Sequence, residues 1–388
     1  MTTKPLTARA LGRATLERQL LLHRGPLSAE DAVHRILGLQ AQEVRPPYLA
    51  LAARLADFTP AALSTALEQR RVARLVTMRS TIHLHTADDC MTLRPLVQAA
   101  RDRELRMFRK GLVGVDLDRL TDLTRRYVEE EPRTPKEIRE LLLKHWPDAD
   151  PQALTIAARG RLPLVQVTPR GLWRRSGGVR LTTAEQWFDR PTEPAPAPDD
   201  TVLRYLGAFG PASVKDFQQW AGITRTKEAF ERLRPRLVTF RDEHGVELFD
   251  LPDAPRPDED TPAPPRLLAE FDNLLLSHAD RTRVIHEADR GRNWQVNTAY
   301  LTFLVDGFLA GLWTLKEGKG SRESKGSKES RAGERGDGDS GAGSVLTLEP
   351  FRKLTRAQRD ELVAEAERTA AVLEVPGPLC VDFGTVRT

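Results

Sequence analysis

Cysteine is almost absent from this chain, which has only Cys90 and Cys380 among its 388 residues. Two cysteines are too few for a disulfide framework or for a zinc site built on cysteine. No run approaches the roughly 18 consecutive apolar residues of a membrane span. The segment from Met1 to Ala10 also lacks the apolar core of a signal peptide. These absences predict a cytoplasmic protein that does not enter a membrane.

The signatures of common hydrolases are also missing. The chain has no Gly-x-Ser-x-Gly elbow, no phosphate-binding Gly-rich loop, no His-Glu-x-x-His helix and no paired metal-binding cysteines. His83 and His85 would lie on the same face of a strand, but no third ligand is evident nearby. The sequence therefore predicts neither a metal site nor a cofactor.

What the chain does have is arginine. Apolar residues make up 40% of the sequence and charged residues 29%, which is typical of a globular protein with two to four domains. The net charge is only +4, yet 48 of the 59 basic residues are arginine. Arginine's planar fork suits phosphates and base edges. A GC-rich coding bias explains the same excess equally well, so charge alone does not establish nucleic-acid binding.

The segment Gln40-Ala41-Gln42 places two amides one residue apart. Such a pair cannot share a helix face, but in an extended or loop backbone the two side chains point the same way. Pro46 and Pro47 each disfavour a helical conformation in the residue before them. We therefore expect a stiff loop that presents both amides side by side. The alternative is two solvated loop amides without a function.

Three segments repeat helices followed by two short strands, which is typical of a winged helix. Capping residues precede the predicted helices, at Ser28, Thr59, Thr134, Asp200 and Ser213. The predicted strand pairs are 72–78 with 81–84, 162–168 with 171–174, and 237–241 with 246–250. We predict an α+β fold with three tandem winged helices, at 1–115 with the loop that carries the two amides, 116–190 and 199–253. The alternative is an ordinary α+β protein with recurrent hairpins.

The C-terminal part, 266–388, is predicted to be rich in strands. The expected strands are 266–276, 281–287, 299–305, 307–315 and 344–348, with a hairpin turn at Asp306-Gly307. An amphipathic helix follows from Thr355 to about Leu373. We interpret this part as a β-barrel-like region or curled sheet closed by the helix. Residues 316–343 are polar and rich in Gly and Ser, which predicts a disordered insertion.

Three motifs in order resemble one protein family. The run from Gly38 to Tyr48, the segment Thr77–Leu84 and the segment Leu268–Arg283 resemble signatures of the AlkZ-like DNA glycosylases, in the YcaQ/AlkZ superfamily. The family carries Gln-aliphatic-Gln or Gln-aliphatic-Asp in its catalytic loop. Gln42 places this chain with the AlkZ-like branch rather than with the YcaQ-like branch, which has Asp.

The resemblance implies a monofunctional DNA glycosylase that hydrolyses the N-glycosidic bond of N7-alkylguanine. Its expected substrates are bulky natural-product adducts or interstrand crosslinks, in repair or antibiotic self-resistance. An N7-alkylated base is already cationic, so its departure needs little acid catalysis. By resemblance, Gln42 orients the attacking water, and Gln40 faces the sugar or the water alongside it. The expected partner is double-stranded DNA containing alkylated purines, bound by a monomer associated with a bacterial nucleoid.

Further residues are candidates for DNA contacts. Arg79, Thr81 and His83 would alternate along one strand face, and a polar tip from His278 to Arg283 would join two apolar strands. Asp272, in contrast, is expected to be structural. The predicted DNA-binding residues are Arg45, Arg79, Thr81, His83, His278, Arg281 and Arg283. The alternatives are an exposed wing strand and an ordinary solvated hairpin.

Two other functions remain open at the level of sequence. One is a non-enzymatic winged-helix DNA-binding regulator, which would usually be a symmetric dimer reading paired half-sites. Three unlike winged helices in one chain favour a monomer on one duplex instead. The other is an interaction module that has lost activity, against which the glutamine pair argues.

Overall fold

A computed structural model of the chain describes residues 4–191, 197–296, 298–318 and 343–386. The described residues form a mixed α+β structure. The first segment contains α1 (Ala8–Arg18), α2 (Ala29–Arg35), β1 (Leu39–Gln40), α3 (Pro46–Arg54), α4 (Pro60–Glu68), β2 (Val72–Val76), β3 (Ile82–Thr86), α5 (Ala87–Leu96) and α6 (Gln98–Met107). A short 3-10 turn, Met78–Ser80, joins β2 to β3. The predicted strand pair of the first segment is therefore confirmed.

Most of the predicted helix caps are confirmed, because each side-chain oxygen accepts a hydrogen bond from a backbone N–H in the first turn. These capping residues are Ser28, Thr59, Thr134, Ser213 and Thr355. Local chemistry thus sets where these helices begin, before any tertiary contact is considered.

The segment after the glutamine pair differs from the expected loop. Arg45 has helical dihedral angles (φ −73°, ψ −39°), and α3 begins at Pro46. The prediction of a stiff extended loop through Pro47 is therefore wrong. Prolines are tolerated in the first turn of a helix, where their missing N–H groups have no partner to lose.

The second segment adds a helical layer and extends the first sheet. It contains α7 (Leu117–Glu130), α8 (Pro135–His145), α9 (Pro151–Arg161), β4 (Leu164–Gln166), β5 (Leu181–Thr183) and α10 (Ala184–Phe188). The sheet has the order β1-β3-β2-β4-β5, with β2 antiparallel to β4. The strands of the first and second segments therefore form one layer. The division into separate winged helices at 1–115 and 116–190 stays a prediction.

The predicted strand 171–174 is wrong, since β4 pairs with β5 instead. Gly171 adopts a φ of +102°, and the residues after it form turns. Leu172 is buried, and the Trp173 ring lies 4.8 Å from the Tyr48 ring between centroids. The apolar character of this stretch thus reflects packing on α3 rather than a strand.

The third segment contains α11 (Asp199–Phe209), α12 (Val214–Ala221), α13 (Lys227–Leu233), β6 (Val238–Arg241) and β7 (Glu247–Asp250). The predicted hairpin is confirmed, with β6 antiparallel to β7. The predicted cap at Asp200 is wrong, because α11 begins after Pro198 and includes Asp200 in its first turn. An aromatic core that includes Tyr205, Phe217 and Trp220 holds the three helices together.

The C-terminal segment contains β8 (Arg266–Leu268), β9 (Trp294–Gln295), β10 (Thr298–Ala299), β11 (Thr302–Val305), β12 (Phe308–Lys316), β13 (Ser344–Pro350), α14 (Arg356–Val372) and β14 (Leu379–Phe383). Its main sheet has the order β14-β13-β12-β11-β8 and α14 packs against it. A closed barrel is therefore wrong, whereas a sheet packed against the C-terminal helix is confirmed. Among the described residues, β8 and β14 are the two unpaired edges of an open sheet.

Several C-terminal predictions have separate outcomes. The turn at Asp306-Gly307 is confirmed, with both residues at positive φ between β11 and β12. The predicted strand 281–287 is wrong, because this stretch forms turns. Its apolar residues Val284 and Ile285 are nevertheless buried. The first residue of the predicted disordered insertion, Lys316, is the last residue of β12. Most of the insertion, 319–342, lies outside the described residues. Within the described ranges, no helix is long and apolar enough to cross a membrane.

Candidate active site

Gln40 lies in β1, opposite His83 of β3. Its side chain is only 6% exposed, and its Oε1 accepts a hydrogen bond from Arg79 Nη2 over 3.2 Å. The next residue, Ala41, is fully buried in the core and donates its N–H to the carbonyl of Ile82 over 2.7 Å. Gln40 and Ala41 are therefore both buried and only Gln42 of the three residues is exposed, so the side-by-side presentation of the two amides stays a prediction.

Gln42 differs from Gln40 in being exposed to solvent. Its Oε1 accepts a hydrogen bond from the backbone N–H of Ile82 over 3.3 Å. An amide oxygen has two lone pairs, so one remains available after this contact. The two amides are therefore each held by a donor of the β2–β3 turn region, but one is buried and the other faces solvent.

Arg79 connects three parts of the chain beside Gln40. Its Nη1 donates to the carbonyl of Trp220 over 2.6 Å, while Nη2 contacts both Gln40 and His83. Arg79 itself lies in the 3-10 turn with a φ of 53°. Burial lowers the pKa of its guanidinium to about 10, and the charge of Arg281 lowers it further. The prediction that Arg79 lies on a strand face is therefore wrong.

His83 is 1% exposed and both ring nitrogens have partners. Nδ1 donates to the carbonyl of Thr81 over 3.0 Å, so Nε2 accepts from Arg79 over 3.2 Å. Burial lowers the pKa of His83 well below its ordinary value, with the charge of Arg79 next in size. Thr81 donates its Oγ1 to the carbonyl of Met78 over 3.2 Å. The expected exposed face of Arg79, Thr81 and His83 is thus an internal turn that supports Gln40.

The backbone around the glutamine pair is held from behind. Asn273 Nδ2 donates to the carbonyl of Gly38 over 2.6 Å, and Gly38 has a φ of +90°. Arg74 Nη2 donates to the carbonyls of Ala41 over 2.6 Å and Glu43 over 3.3 Å. Strand pairing with β3 holds the front of the same segment. This region therefore presents its amides from a rigid backbone.

Arg45, a predicted DNA contact, lies three residues after Gln42, directly before α3. Its guanidinium Nη2 is 3.0 Å from Glu317 Oε1, with both side chains about a third exposed. Arg45 is also near Glu270, a half-buried carboxyl whose pKa is raised by burial. Arg45 is thus placed at the rim of the site, where an exposed ion pair costs little to exchange for a phosphate.

Arg281 lines a cavity of about 360 Å³ whose other walls include Arg290, Asn293 and Trp294. Its Nε donates to the carbonyl of His278 over 3.4 Å, and it forms no ion pair with a described residue. Burial lowers the pKa of Arg281, and Arg290 lowers it further. Arg281 thus interacts as a like charge with Arg79 and with Arg290, which favours an anion beside Arg281, although Asp280 and Glu287 line the same cavity.

His278 and Arg283 are buried instead of lying at a polar tip. His278 Nε2 donates to the carbonyl of Phe209 over 3.0 Å, and burial lowers the pKa of its imidazole to about 3, with Arg283 next in size. Arg283 Nη1 donates to Thr15 Oγ1 over 3.2 Å and to the carbonyl of Pro211 over 3.0 Å. The predicted polar tip that would present them to DNA is therefore wrong. His278 binds the C-terminal loop to the third segment, and Arg283 binds this loop to α1 and to the third segment.

The described residues contain no group of three or more His, Cys, Asp or Glu side chains placed to hold a metal ion. His83 and His85 do stack, with ring centroids 5.6 Å apart. His85 Nε2 contacts Thr77 Oγ1 over 2.9 Å, so this second imidazole is also used internally.

Comparison with known proteins decides the family. A family model described as "DNA glycosylase AlkZ-like" matches residues 33–372, which is most of the chain. The chain belongs to the AlkZ-like DNA glycosylases. It is therefore a DNA glycosylase, an enzyme that binds DNA and hydrolyses N-glycosyl bonds.

A curated protein and a solved structure, both from Streptomyces sahachiroi, are similar to this chain. A curated protein named "Interstrand DNA cross-link repair glycosylase" is 23% identical over 328 residues, covering 77% of this chain and 85% of that protein. A solved structure of the DNA glycosylase AlkZ aligns with a TM-score of 0.73 at 20% identity, covering 98% of this chain and 100% of that one. The structural likeness shows that the fold is shared.

Two supporting residues of this AlkZ-like site are missed by the sequence reasoning. Asn273 lies within a motif quoted for the family resemblance, directly after Asp272, yet only the structure reveals its contact with Gly38. Arg74 stands between core residues in the pattern Val72-Ala-Arg-Leu-Val76. A charged residue inside an apolar strand is a signal that something buried requires its donors. Asp272 is confirmed as structural, because it forms a buried bidentate pair with Arg54 over 2.7 and 2.8 Å.

Proposed function

We propose that this enzyme is a monofunctional DNA glycosylase for N7-alkylguanine, acting on bulky adducts or interstrand crosslinks in double-stranded DNA. The observation that carries the proposal is the amide pair, with Gln40 Oε1 fixed by Arg79 and Gln42 Oε1 fixed by Ile82. The name of the Streptomyces sahachiroi relative, which refers to interstrand crosslink repair, supports the choice of substrate.

The two glutamines have different roles in this proposal. Gln42 is exposed and keeps one free lone pair, so its oxygen accepts a hydrogen bond from the attacking water and orients it toward the anomeric carbon. Gln40 is buried with a fixed oxygen dipole, which faces the positive charge that develops on the sugar. A preorganised dipole of this kind stabilises a transition state without reorganisation. Neither amide needs to ionise, so the pair works at neutral pH.

The state of His83 supports a substrate whose leaving base needs no proton. His83 is the imidazole nearest to Gln40 in the sheet register, and both its nitrogens are already bound to Thr81 and Arg79. Burial holds its pKa well below the ordinary value, so it is neutral and has no free proton to give. An N7-alkylguanine leaves as a neutral base without protonation. The neutral state of His83 therefore supports a cationic leaving base, which departs without a proton from this imidazole.

DNA contacts are proposed on the arginine side of the site. Arg281, whose two terminal guanidinium nitrogens have no hydrogen-bond partner among the described residues, is the leading phosphate contact, and Arg45 is a second one at the rim. Arg79 contributes charge at close range while it orients Gln40. Three unlike segments in one chain support a monomer that acts on one duplex, at the nucleoid of a bacterium. No observation favours a regulator that lacks the hydrolytic step.

A panel of duplexes tests the proposal. The duplexes contain N7-methylguanine in one strand, a bulky N7-guanine adduct in one strand, or a crosslink between the two strands. Alkaline cleavage reveals abasic products. We expect excision of N7-alkylguanine and none of unmodified guanine, with the bulky or crosslinked substrates processed as well. Absence of product with every modified duplex contradicts the proposal. Excision of N7-methylguanine alone would restrict the substrate to small adducts.

A further inference from the structure

Arg74 is a buried arginine directly behind the exposed glutamine. It lies at the centre of β2 and is 2% exposed. A single nitrogen, Nη2, donates to the carbonyl of Ala41 over 2.6 Å and to the carbonyl of Glu43 over 3.3 Å. These carbonyls belong to the residues on either side of Gln42. The guanidinium therefore holds the 41–42 peptide unit and the 43–44 peptide unit, one residue to each side of Gln42.

No carboxylate explains why Arg74 is buried. Four other fully buried arginines each pair with a carboxylate, namely Arg13, Arg18, Arg54 and Arg101, whereas Arg74 forms no ion pair with a described residue. Its Nε and Nη1 also lack hydrogen-bond partners in this part of the chain. Burial lowers the pKa of its guanidinium to about 10, with the charge of Arg170 next in size. An incompletely paired buried cation costs stability, which points to a role other than stabilising the fold.

We propose that Arg74 is a positioning residue, which sets the place of the Gln42 amide by clamping the carbonyls of Ala41 and Glu43. The inference rests on the proposed function, in which Gln42 orients the attacking water. The front of the same backbone is pinned by Ile82, whose carbonyl accepts from Ala41 N–H and whose N–H donates to Gln42. Arg74 supplies the opposing restraint from behind.

The physical consequence of losing the clamp is a small displacement. Without the guanidinium, two carbonyls lose their donor and the peptide units around Gln42 are free to rotate. A misplacement of about 1 Å in a reacting group costs on the order of 10²-fold in rate. Because Arg74 is buried behind the segment, it does not reach the DNA. The rate of excision changes in this account, and the affinity for DNA does not.

The test compares Arg74→Met with a matched control, Arg94→Met. Arg94 is 3% exposed, and its Nη2 donates to the carbonyl of Gly160 over 2.7 Å. Burial lowers the pKa of Arg94 to about 10 as well, but its contact is in the second segment. Each variant is measured for single-turnover excision of N7-methylguanine at saturating enzyme, for duplex affinity, and for hydrogen exchange at the amides of Ala41 and Ile82.

We expect Arg74→Met to excise about 10- to 100-fold more slowly than the parent chain, with unchanged duplex affinity. Exchange at Ala41 and Ile82 should become faster in Arg74→Met, while Arg94→Met should match the parent in all three measurements apart from stability. A folded Arg74→Met with parental excision and exchange overturns the proposal. Equal slowing of excision in Arg94→Met also overturns the proposal, because the loss of any buried arginine would then reduce the rate.

Two further controls keep the outcomes separate. If Arg74→Met does not fold, Arg74→Lys is used, because lysine keeps the charge but lacks the planar fork that reaches both carbonyls. Parental excision and exchange in Arg74→Lys then overturn the proposal. Hydrogen exchange needs no substrate, so it still decides whether Arg74 orders the segment if the parent chain excises no N7-alkylguanine. That last result would contradict the proposed function alone.

Discussion

Arg79 and Gln40 are joined by a hydrogen bond of 3.2 Å between Nη2 and Oε1, although 39 residues separate them in the chain. The same guanidinium holds the carbonyl of Trp220 at the end of α12. The orientation of the buried amide thus depends on the turn between β2 and β3 and on the third segment together. Residues far from the glutamine motif therefore influence its geometry.

The first prediction concerns this contact. Arg79→Lys keeps a positive charge but loses the fork that reaches Gln40 and Trp220 at once. We expect excision to slow by about 10²-fold with less than a threefold change in duplex affinity, on the order of the loss from one misplaced group. Single-turnover excision and fluorescence anisotropy measure the two effects. Arg103→Lys is the matched control, because Arg103 is exposed and contacts Gly222 of the same segment without touching Gln40. Equal rates in both variants would refute the role of Arg79.

The second prediction separates two arginines that sequence reasoning treats alike. Arg281→Ala should reduce the slope of log affinity against log salt by about one phosphate contact, close to 0.9. Arg283→Met should leave that slope unchanged and instead lower the free energy of unfolding by about 1–3 kcal/mol, because two buried acceptors lose their donor. Salt titrations of duplex binding measure the slope, and urea unfolding measures the free energy of unfolding. A reduced slope for Arg283→Met would show that Arg283 reaches DNA after all.

The third prediction is a pH dependence of stability. Burial lowers the pKa of His85 to about 4 in the folded chain, against an ordinary value near 6.5. The unfolded chain therefore binds a proton more readily between these values. Stability from this group is complete above about pH 6.5 and is lost as pH falls toward 4. The loss is on the order of 3 kcal/mol, from about 1.4 kcal/mol per pKa unit.

His85→Gln tests this linkage, since glutamine can still hydrogen-bond Thr77 but does not titrate. The decrease in unfolding free energy between pH 7 and pH 4 should be smaller in His85→Gln than in the parent chain. His244→Gln is the control, because His244 is exposed in the turn between β6 and β7. Identical pH dependence in the parent chain and His85→Gln would contradict the assignment.

The fourth prediction concerns the buried pair of Asp272 and Arg54, both of which are fully buried. Asp272→Asn leaves the arginine without its charge partner, so we expect a loss of about 3–5 kcal/mol in the free energy of unfolding. Asp199→Asn breaks the exposed pair with Arg232 and should cost less than about 1 kcal/mol. Chemical unfolding distinguishes the two. Comparable losses would mean that the Asp272 pair contributes no more than a surface pair.

Local chemistry accounts for the parts of the fold that the sequence predicts well. The caps at Ser28 and Thr355 and the turn at Asp306-Gly307 depend on neighbouring residues only, and each is found where expected. The burial of Ala41 agrees with the local alternation, but Gln40 is buried as well, with Arg79 as its donor, so the alternation alone does not predict the burial of the two glutamines.

Predictions that depended on distant partners failed. β14 pairs in parallel with β13, and no local pattern reveals a strand whose partner lies across a helix. His278 and Arg283 look like solvated polar residues until the carbonyls of Phe209 and Pro211 are seen to accept from them. Arg74 is the same case within the site. The positions of buried donors are set by tertiary acceptors, which sequence spacing does not encode.

The glutamine pair itself carries the central claim. In the proposed function Gln42 orients the water, so Gln42→Ala removes this group, and loss of one such group typically costs up to about 10²–10³-fold, or about 3–4 kcal/mol. A cationic base leaves readily, so the single variant can retain more activity than this. Gln42→Asp should remain active, because a carboxylate can also hold the water and oppose the charge on the sugar.

The most direct test is the single-turnover rate of N7-alkylguanine excision by Gln40→Ala/Gln42→Ala. Gln152→Ala/Gln186→Ala, which replaces two exposed glutamines of α9 and α10, is the matched control. Duplex affinity and the unfolding transition of both variants are measured alongside. We predict that the first variant binds DNA and folds like the parent chain but excises the base no faster than uncatalysed depurination, while the control keeps the parental rate. Parental excision by Gln40→Ala/Gln42→Ala would place the chemistry elsewhere in the molecule.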